Sequence, residues 1–181
     1  MKRVIRVLVV LCLLVLLYGG VSIWGSANFL IERKFSVDTG KCQEEFVAVV
    51  ISDLHDHEFG NGNVRLVEKI QDIAPDLILM DGDMLNETSD DAEVPLNLIR
   101  QLKDTAPVYY ALGNHEINYM ENGHPQLMEE LENAGAVMLE REFVDIEVKG
   151  NPIRIGGMYE YAFGLNGNND ALSAPSETLA F

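Results

Sequence analysis

The first feature of the hydrophobic pattern is an apolar segment near the N-terminus. Residues Val7–Trp24 carry no charged side chain over 18 positions, and a helix needs roughly 17–25 residues to cross the apolar part of a bilayer. Basic residues stand on both sides of the segment, at Lys2, Arg3, Arg6, Arg33 and Lys34. The three that precede it favour a cytoplasmic N-terminus. The pattern predicts a membrane anchor or signal segment in residues 1–27.

Two other interpretations of this segment stay open. A cleaved signal peptide is one, because the small residues Gly25, Ser26 and Ala27 suit a cleavage site, although the apolar stretch exceeds the usual signal core of about 7–15 residues. A buried core helix is the other. It is the least favoured, because no polar face interrupts the apolar surface.

Beyond a polar linker at residues 28–45, short apolar runs alternate with segments of helical periodicity. The predicted strands are Phe46–Ser52, Leu77–Met80 and Val108–Leu112, and the predicted helices are Val64–Ala74, Val94–Leu102 and Leu127–Ala134. Pro75 and Gly135 are expected to end the first and third helices. The β-branched first strand is expected to be buried on both faces. The order β-α-β-α-β-α predicts a mainly parallel sheet with crossover helices.

The pattern changes after the third helix. Three strands are predicted without helices between them, at Val137–Leu139, Val144–Val148 and Ile153–Ile155. A hairpin turn is expected at Gly150-Asn151-Pro152. From Ala162 onward the sequence is weakly patterned.

Acidic residues dominate the chain beyond the apolar segment. All 29 Asp and Glu residues lie there with 10 of the 13 Lys and Arg residues, so this part carries a formal charge of −19. Such a surface repels nucleic acid, and no nucleic-acid partner is expected. Of the two cysteines, Cys12 lies inside the apolar segment and Cys42 outside it, which excludes a disulfide framework.

Polar groups cluster where each predicted parallel strand ends. The sequences are Asp53-Leu54-His55 after the first strand, Asp81-Gly82-Asp83 with Asn86 after the second, and Gly113-Asn114-His115-Glu116 after the third. Ligands of open α/β sheets bind at this edge, and neighbouring parallel strands would bring the three clusters within a few ångströms. Gly82 and Gly113 permit tight turns and close backbone approach.

The residue types in these clusters point to metal. Carboxylate, imidazole and amide groups together suit divalent cations such as Zn, Mn and Fe. On an extended backbone Asp53 and His55 would face the same side, since strand side chains alternate, and could bind one ion together. Asp83 has two oxygens and could bridge two ions, and Asn114 could supply oxygen to the second.

The three clusters resemble the calcineurin-like metallophosphoesterases. The motif series of that family runs D-x-H, G-D-x-x-D/N, G-N-H-D/E, a later H, and G-H-x-H. This chain matches the first three motifs at Asp53–His55, Gly82–Asn86 and Gly113–Glu116. The resemblance covers about residues 46–160 and is greatest to the membrane-anchored bacterial type. It implies an α/β fold, a four-layer αββα sandwich in which helices flank two facing mixed sheets.

The resemblance also implies roles for individual residues. Asp53 and His55 would bind a first ion, Asp83 would bridge two ions, and Asn114 would bind the second. His115 would bind no metal and would donate a proton to the leaving oxygen or steady the phosphoryl group. Two divalent ions, Mn, Fe or Zn, would activate water for attack on a phosphomonoester, phosphodiester or pyrophosphate.

The sequence departs from the family pattern downstream. Its histidines are His55, His57, His115 and His124. The later H and the G-H-x-H motif are absent, which predicts a metallophosphoesterase domain, residues 46–181, that is incomplete at its C-terminus. His57 and His124 are interpreted as loop residues, and Asn86 as a residue that orients its neighbours. Asp56 is interpreted as a turn residue or as a residue that supports the ligands from behind. Asp81 is expected to support a ligand or to pair with the backbone.

The functional hypothesis is a metal-dependent phosphoester hydrolase, single-pass in a membrane, with its catalytic domain outside the cytoplasm. The substrate would be a small or lipid-linked phosphate ester. The alternative is an inactive, membrane-tethered remnant that binds at most one ion. An unrelated α/β binding module with coincidental motifs is the third interpretation.

Overall fold

The computed structural model describes residues 2–140, 142–157 and 179–180, and it divides the chain into two compact units, Met1–Phe35 and Ser36–Phe181. The first unit is built on helix α1, Lys2–Asn28, whose 27 residues span about 40 Å at 1.5 Å per residue. Residues Lys2–Ser22 are long and apolar enough to cross a membrane, and none of this stretch is buried. A core helix would be buried, whereas a membrane span and a signal sequence both fit this helix.

The second unit contains a four-stranded parallel sheet. Its strands are β1 (Ala48–Ile51), β2 (Leu77–Asp81), β3 (Val108–Ala111) and β4 (Ala136–Met138), and they lie side by side in chain order. The helices between them are α2 (Val64–Ile73), α3 (Glu93–Leu102), α4 (Asn114–Glu121) and α5 (Leu127–Ala134), with a short 3₁₀ turn at Asn61–Asn63. Right-handed crossovers between sequential strands place the crossover helices on one face of the sheet. The parallel sheet predicted from the alternating pattern is confirmed.

The helix ends follow the sequence signals. Ala74 closes α2 with a left-handed backbone (φ 51°), and its N–H donates to the carbonyl of Gln71. Pro75 follows, as is common after such a cap. Gly135 closes α5 at φ 121°, a conformation that favours glycine. Helix α4 is the one element of the parallel part that the periodicity did not predict, because its apolar face is short.

A second sheet follows the parallel one. Strands β5 (Glu142–Val148) and β6 (Asn151–Gly157) pair in antiparallel fashion, and β7 (Leu179–Ala180) runs parallel to β6. The hairpin turn lies at Lys149 and Gly150, with φ 48° and 74°, so both central residues have the positive φ of a type I′ turn. The predicted turn at Gly150–Pro152 was therefore wrong by one residue.

Apolar side chains join the two sheets. Leu77 and Tyr109 of the parallel sheet pack against Val148, Ile153 and Ile155 of the second sheet, with Leu139 completing the cluster. The described residues thus form three layers, helices, parallel sheet and second sheet, of the four that the family resemblance implies. The weakly patterned segment from Ala162 lies outside the described residues, except for β7.

Strand β1 corrects one prediction. It was expected to be buried on both faces, but it is an edge strand of the parallel sheet, paired with β2 alone among the described residues. Val47 is 42% exposed and Val50 is 60% exposed. The β-branched composition predicted a strand correctly, but an edge position leaves one face and one row of backbone groups open.

Two polar contacts reinforce the end of the second unit opposite the strand ends that carry the motifs. The buried Asn151 amide accepts a hydrogen bond from the N–H of Gln43 (2.6 Å) and donates one to the carbonyl of Glu44 (2.8 Å), which fixes the end of the linker. The Asp76 carboxylate accepts from the N–H of Val47 and from Lys149 Nζ, both at 2.8 Å. Burial raises the pKa of Asp76, but the Lys149 and Val47 hydrogen bonds outweigh it and hold that pKa below its usual value.

Removal of apolar volume between the sheets tests this packing. Ile153 is 1% exposed, so Ile153→Ala leaves a cavity and should lower the free energy of unfolding by about 2–5 kcal/mol. Val50→Ala, at an exposed β1 position, is the matched control and should change it by less than about 0.5 kcal/mol. Urea titration of the full chain in mild detergent measures both. Equal losses in the two variants would contradict the assigned core.

Candidate metal centre

The three motif-bearing loops leave adjacent strands at one edge of the parallel sheet. The loop after β1 runs alongside the loop after β2, and backbone hydrogen bonds continue to join the two beyond the ends of the strands. The N–H groups of Asp53, His55 and Asp56 donate to the carbonyls of Gly82 (3.2 Å), Asp83 (3.0 Å) and Met84 (3.0 Å). The predicted convergence of the clusters is confirmed.

The backbone of the first motif differs from the prediction. Asp53 and His55 were expected on an extended strand, but β1 ends at Ile51 and these residues have φ values of 55° and 47°. The hydrogen bonds to the neighbouring loop impose this bent path. Left-handed residues other than glycine are uncommon and cluster at functional sites. The two side chains still meet, with His55 Nε2 3.9 Å from Asp53 Oδ1.

Two glycines allow the second and third loops to touch. A Cβ on Gly82, which has φ 68°, would lie 2.6 Å from the Cα of Gly113. A Cβ on Gly113 would lie 2.7 Å from the carboxyl carbon of Asp83. Real Cβ atoms do not approach neighbours so closely, so both positions need glycine, and the close approach predicted for them is confirmed.

Three ligand-type side chains converge where the loops meet. One ligand atom each from His55, Asp83 and His115 lies within 4.8 Å of the other two. The rings of His55 and His115 meet edge to face, with centroids 4.6 Å apart. His55 Nδ1 is buried and has no hydrogen-bond partner among the described residues. A buried imidazole nitrogen without a hydrogen-bond partner, in a group that also holds the Asp83 carboxylate, fits a divalent cation.

The carboxylates around this group repel one another. Burial raises the pKa of Asp81 above its usual value, and the nearby charges of Asp53 and Asp83 raise it further. Asp53 is largely exposed, with 69% of its side chain accessible, and Asn114 is an exposed residue at the start of α4. Excess negative charge of this kind favours cation binding.

Glu116 is the site residue whose role sequence reasoning missed. Its side chain is fully buried. Its carboxylate accepts four hydrogen bonds, each of 2.8 Å, from the N–H groups of Asp83, Met84 and Gly113 and from the hydroxyl of Tyr110. Burial, and then the charge of Glu116, raises the pKa of Tyr110 well above its usual value, so the phenol stays a donor.

A sequence signal for this role did exist. Glu116 is the third residue of α4, and Gly113 precedes the helix. A glutamate at this position commonly accepts from the N–H of the capping residue, which is half of a capping box. The metal-binding pattern of the motif by itself indicates no role for Glu116.

Asp56 and Asn86 support the loops, as expected. Asp56 accepts from the N–H and the side-chain amide of Asn86, both at 2.9 Å, and from the Ser89 hydroxyl. The Asn86 amide also donates to the carbonyl of His55 at 3.0 Å. These contacts tie the first loop to the second and agree with the orienting role predicted for Asn86.

The other two histidines pack away from the group of ligand atoms. His57 stands edge to face against Phe59, with centroids 4.6 Å apart. His124 stacks on the buried Tyr119 at 4.0 Å. Among the described residues, neither belongs to the close group formed by His55, Asp83 and His115.

Substitution of Glu116 should disrupt both loops at once. In Glu116→Gln an amide NH₂ replaces one oxygen and faces at least one backbone N–H donor in either orientation of the amide, so we expect the free energy of unfolding to fall by about 1–3 kcal/mol. Glu121→Gln changes an exposed glutamate on the same helix and should have an effect below about 0.5 kcal/mol. Urea titration at neutral pH compares the variants. A Glu116→Gln protein as stable as the control would refute the role given to this carboxylate.

Comparisons with known proteins agree with the motifs. The family model described as calcineurin-like phosphoesterase matches residues 46–173. The chain is 29% identical over 114 residues to the uncharacterized metallophosphoesterase YkoQ of Bacillus subtilis (strain 168), a match that covers 62% of this chain and 42% of that protein. The chain thus spans less than half the length of the curated relative it matches.

Two solved structures are similar in part. The phosphopantetheinyl hydrolase PptH of Mycobacterium tuberculosis is 22% identical, with a TM-score of 0.43 and coverage of 70% of this chain and 49% of that one. An archaeal phosphodiesterase is 17% identical, with a TM-score of 0.43 and coverage of 70% and 66%. The family match extends over more than half of the 181 residues and includes all three motifs. The chain belongs to the calcineurin-like phosphoesterase family.

Proposed function

We propose that this protein is a metal-dependent phosphoester hydrolase. The observation that carries the proposal is the convergence of His55, Asp83 and His115 at the carboxyl edge of the parallel sheet, with ligand atoms within 4.8 Å of one another. Membership of the phosphoesterase family supports the same reaction class.

The proposed metal ligands are Asp53, His55, Asp83 and Asn114. Asp53 and His55 would hold one ion, Asp83 would lie between two, and Asn114 would hold the second. When bound, two divalent cations (Mn, Fe or Zn) lower the pKa of water and neutralise charge on a phosphate. The raised pKa of Asp81, caused by burial and by the neighbouring carboxylates, shows the repulsion that cations at this site would relieve.

His115 is the proposed catalytic residue. It is partly buried at the start of α4, and its own backbone N–H donates to Asp83 Oδ1 at 3.0 Å. This bond holds the imidazole next to the ligand carboxylate. A proton from His115 to the leaving oxygen, or a hydrogen bond to the phosphoryl group, would contribute about 10²–10⁴-fold to the rate.

The proposed substrate is a phosphomonoester, phosphodiester or pyrophosphate. A lipid-linked ester is compatible with an N-terminal helix that could cross a membrane. The acidic surface, 29 Asp and Glu against 13 Lys and Arg in the whole chain, is unsuited to nucleic acid.

A second candidate function is a metal-binding domain without turnover. The observation that favours it is that the close group of ligand atoms found among the described residues is formed by His55, Asp83 and His115, so a second ion would rely on Asp83 and Asn114. Such a domain would bind about one ion per chain and hydrolyse nothing.

Activity and ion content separate these candidates. The full chain in detergent, supplied with Mn²⁺, is expected to hydrolyse bis(p-nitrophenyl) phosphate and to lose this activity with a chelator. Asp83→Ala should lower kcat/KM by at least about 100-fold, since it removes a ligand. Asp90→Asn, an exposed acidic residue of the following loop, is the control and should retain full activity. Mass spectrometry of bound metal should find two ions.

One ion or none, with no hydrolysis above the Asp83→Ala background, would favour the second candidate. Hydrolysis that survives Asp83→Ala would refute the proposed site.

We also propose that α1 remains as a single-pass anchor and that the second unit lies outside the cytoplasm. Cys42 is exposed in the linker, whereas Cys12 lies within α1. A membrane-impermeant maleimide should therefore label intact bacterial spheroplasts that express the chain, and Cys42→Ser should abolish the labelling. Labelling after lysis alone would place the second unit in the cytoplasm. A mature chain shorter by about 27 residues would show a cleaved signal instead.

A further inference from the structure

Helix α4 and Asn122, the residue that caps its C-terminus, carry three polar side chains on one side. Residues His115, Asn118 and Asn122 are three and four positions apart, and such residues share a face of a helix. The last two hold the same residue of the loop after β2. Asn118 Nδ2 donates to the Glu87 carboxylate at 2.6 Å, and Asn122 Nδ2 donates to the Glu87 carbonyl at 3.1 Å.

Glu87, held in this way, also contacts His115. The backbone N–H of Glu87 donates to His115 Nδ1 at 3.2 Å. An imidazole nitrogen that accepts a hydrogen bond carries no proton, so neutral His115 carries its proton on Nε2. A hydrogen bond on one ring nitrogen commonly selects the tautomer of a functional histidine.

The tautomer bears on the chemistry of the site. With Nδ1 engaged by Glu87 and Nε2 protonated, neutral His115 has no free lone pair for a metal ion. Although His115 belongs to the close group of ligand-type side chains, this hydrogen bond leaves it a hydrogen-bond donor through Nε2–H, while His55 and Asp83 remain as ligands.

We propose that Glu87 is a positioning residue, held by Asn118 and Asn122, that acts through His115 and keeps the ring N–H on Nε2, where it donates a hydrogen bond to a phosphoryl oxygen of the substrate. The inference rests on the proposed hydrolase function. No contact between Glu87 and the substrate is required, and no proton leaves His115. The Glu87 clamp, defined as Asn118, Glu87 and Asn122, sets which nitrogen of His115 can donate this hydrogen bond.

The clamp can be broken and restored with little change in side-chain volume. Asn118→Asp places a second carboxylate against Glu87 and should release the loop by charge repulsion. In the double variant with Glu87→Gln, the new amide can donate to the new carboxylate, so the hydrogen bond returns with its direction reversed. Glu121→Gln on the same helix is the matched control.

The first readout is the tautomer itself. The full chain, labelled with ¹⁵N-histidine in detergent with chelator at about pH 8, where neutral imidazole predominates, is studied by long-range ¹H–¹⁵N correlation. His115→Asn assigns the signal. We expect protonated Nε2 in the unaltered chain, the control and the double variant. In Asn118→Asp the two nitrogen shifts should converge, as in a tautomer mixture.

The second readout is the effect of a sulfur substitution in the substrate, measured with Mn²⁺. Sulfur accepts hydrogen bonds poorly, so a phosphorothioate analogue of bis(p-nitrophenyl) phosphate gains little from the Nε2–H of His115. Asn118→Asp should lower kcat about tenfold for the phosphodiester, less than the roughly 10²–10³-fold cost of removing an oxyanion donor outright, and much less for the phosphorothioate. The double variant should recover kcat to within a few-fold. A purely structural role would depress both substrates equally.

A proton on Nδ1 in the unaltered chain would overturn the inference, and so would a tautomer and a response to sulfur substitution that Asn118→Asp leaves unchanged. If Asn118→Asp fails to fold, the exposed Asn122→Ala loosens the same clamp and gives the same readouts. Absence of turnover in the unaltered chain would refute the hydrolase function, whereas the tautomer measurement would still decide the arrangement at His115.

Discussion

The site depends on one buried carboxylate. Glu116 is fully buried and accepts hydrogen bonds from three backbone N–H groups and one phenol. A buried charge is costly unless its lone pairs are satisfied, and here each carboxylate oxygen receives two donors. Two donors come from the loop after β2, one from the loop after β3, and one from β3 itself. Glu116 therefore fixes the positions of both loops relative to the sheet, and the ligand-type side chains inherit that geometry.

The backbone around the site is unusual, because Glu116 joins the second and third loops while backbone hydrogen bonds join the first loop to the second. Because the loops are held close together, Gly82 and Gly113 have no room for a Cβ. Asp53, His55, Asp56 and Asp83 adopt positive φ angles. Such conformations cost energy and persist where the surroundings impose them. The result brings the acidic groups of Asp53, Asp81 and Asp83 near enough to raise the pKa of Asp81. Hydrogen bonds from backbone N–H groups thus keep these carboxylates close together, although their negative charges repel one another.

The loop after β2 is held at three places by three different parts of the protein. Glu116 holds its start at Asp83 and Met84, the Asp56 carboxylate holds Asn86, and helix α4 holds Glu87 through Asn118 and Asn122. The apolar cluster between the sheets lies toward the other end of the strands, where Asp76 joins Val47 and Lys149. Apolar packing therefore holds the two sheets together, while polar contacts fix the loops that contain the candidate metal ligands.

The sequence by itself determined the strands of the parallel sheet, three of its helices and the polar residue types that meet at its edge. Runs of β-branched residues between helical segments predicted the parallel sheet, and polar groups at Asp53, Asp83 and His115 predicted convergence at one edge, because parallel strands end together. These signals are local or follow from chain order. Only the tertiary structure decided the edge position of β1, the bent backbone of the first motif, the burial of Glu116 and the contact between Glu87 and His115. Each of these depends on which atoms meet across 28–33 positions or across the width of the sheet. Hydrophobic periodicity holds no information about such contacts, since it records which side of an element faces the core and not which hydrogen-bonding groups meet there.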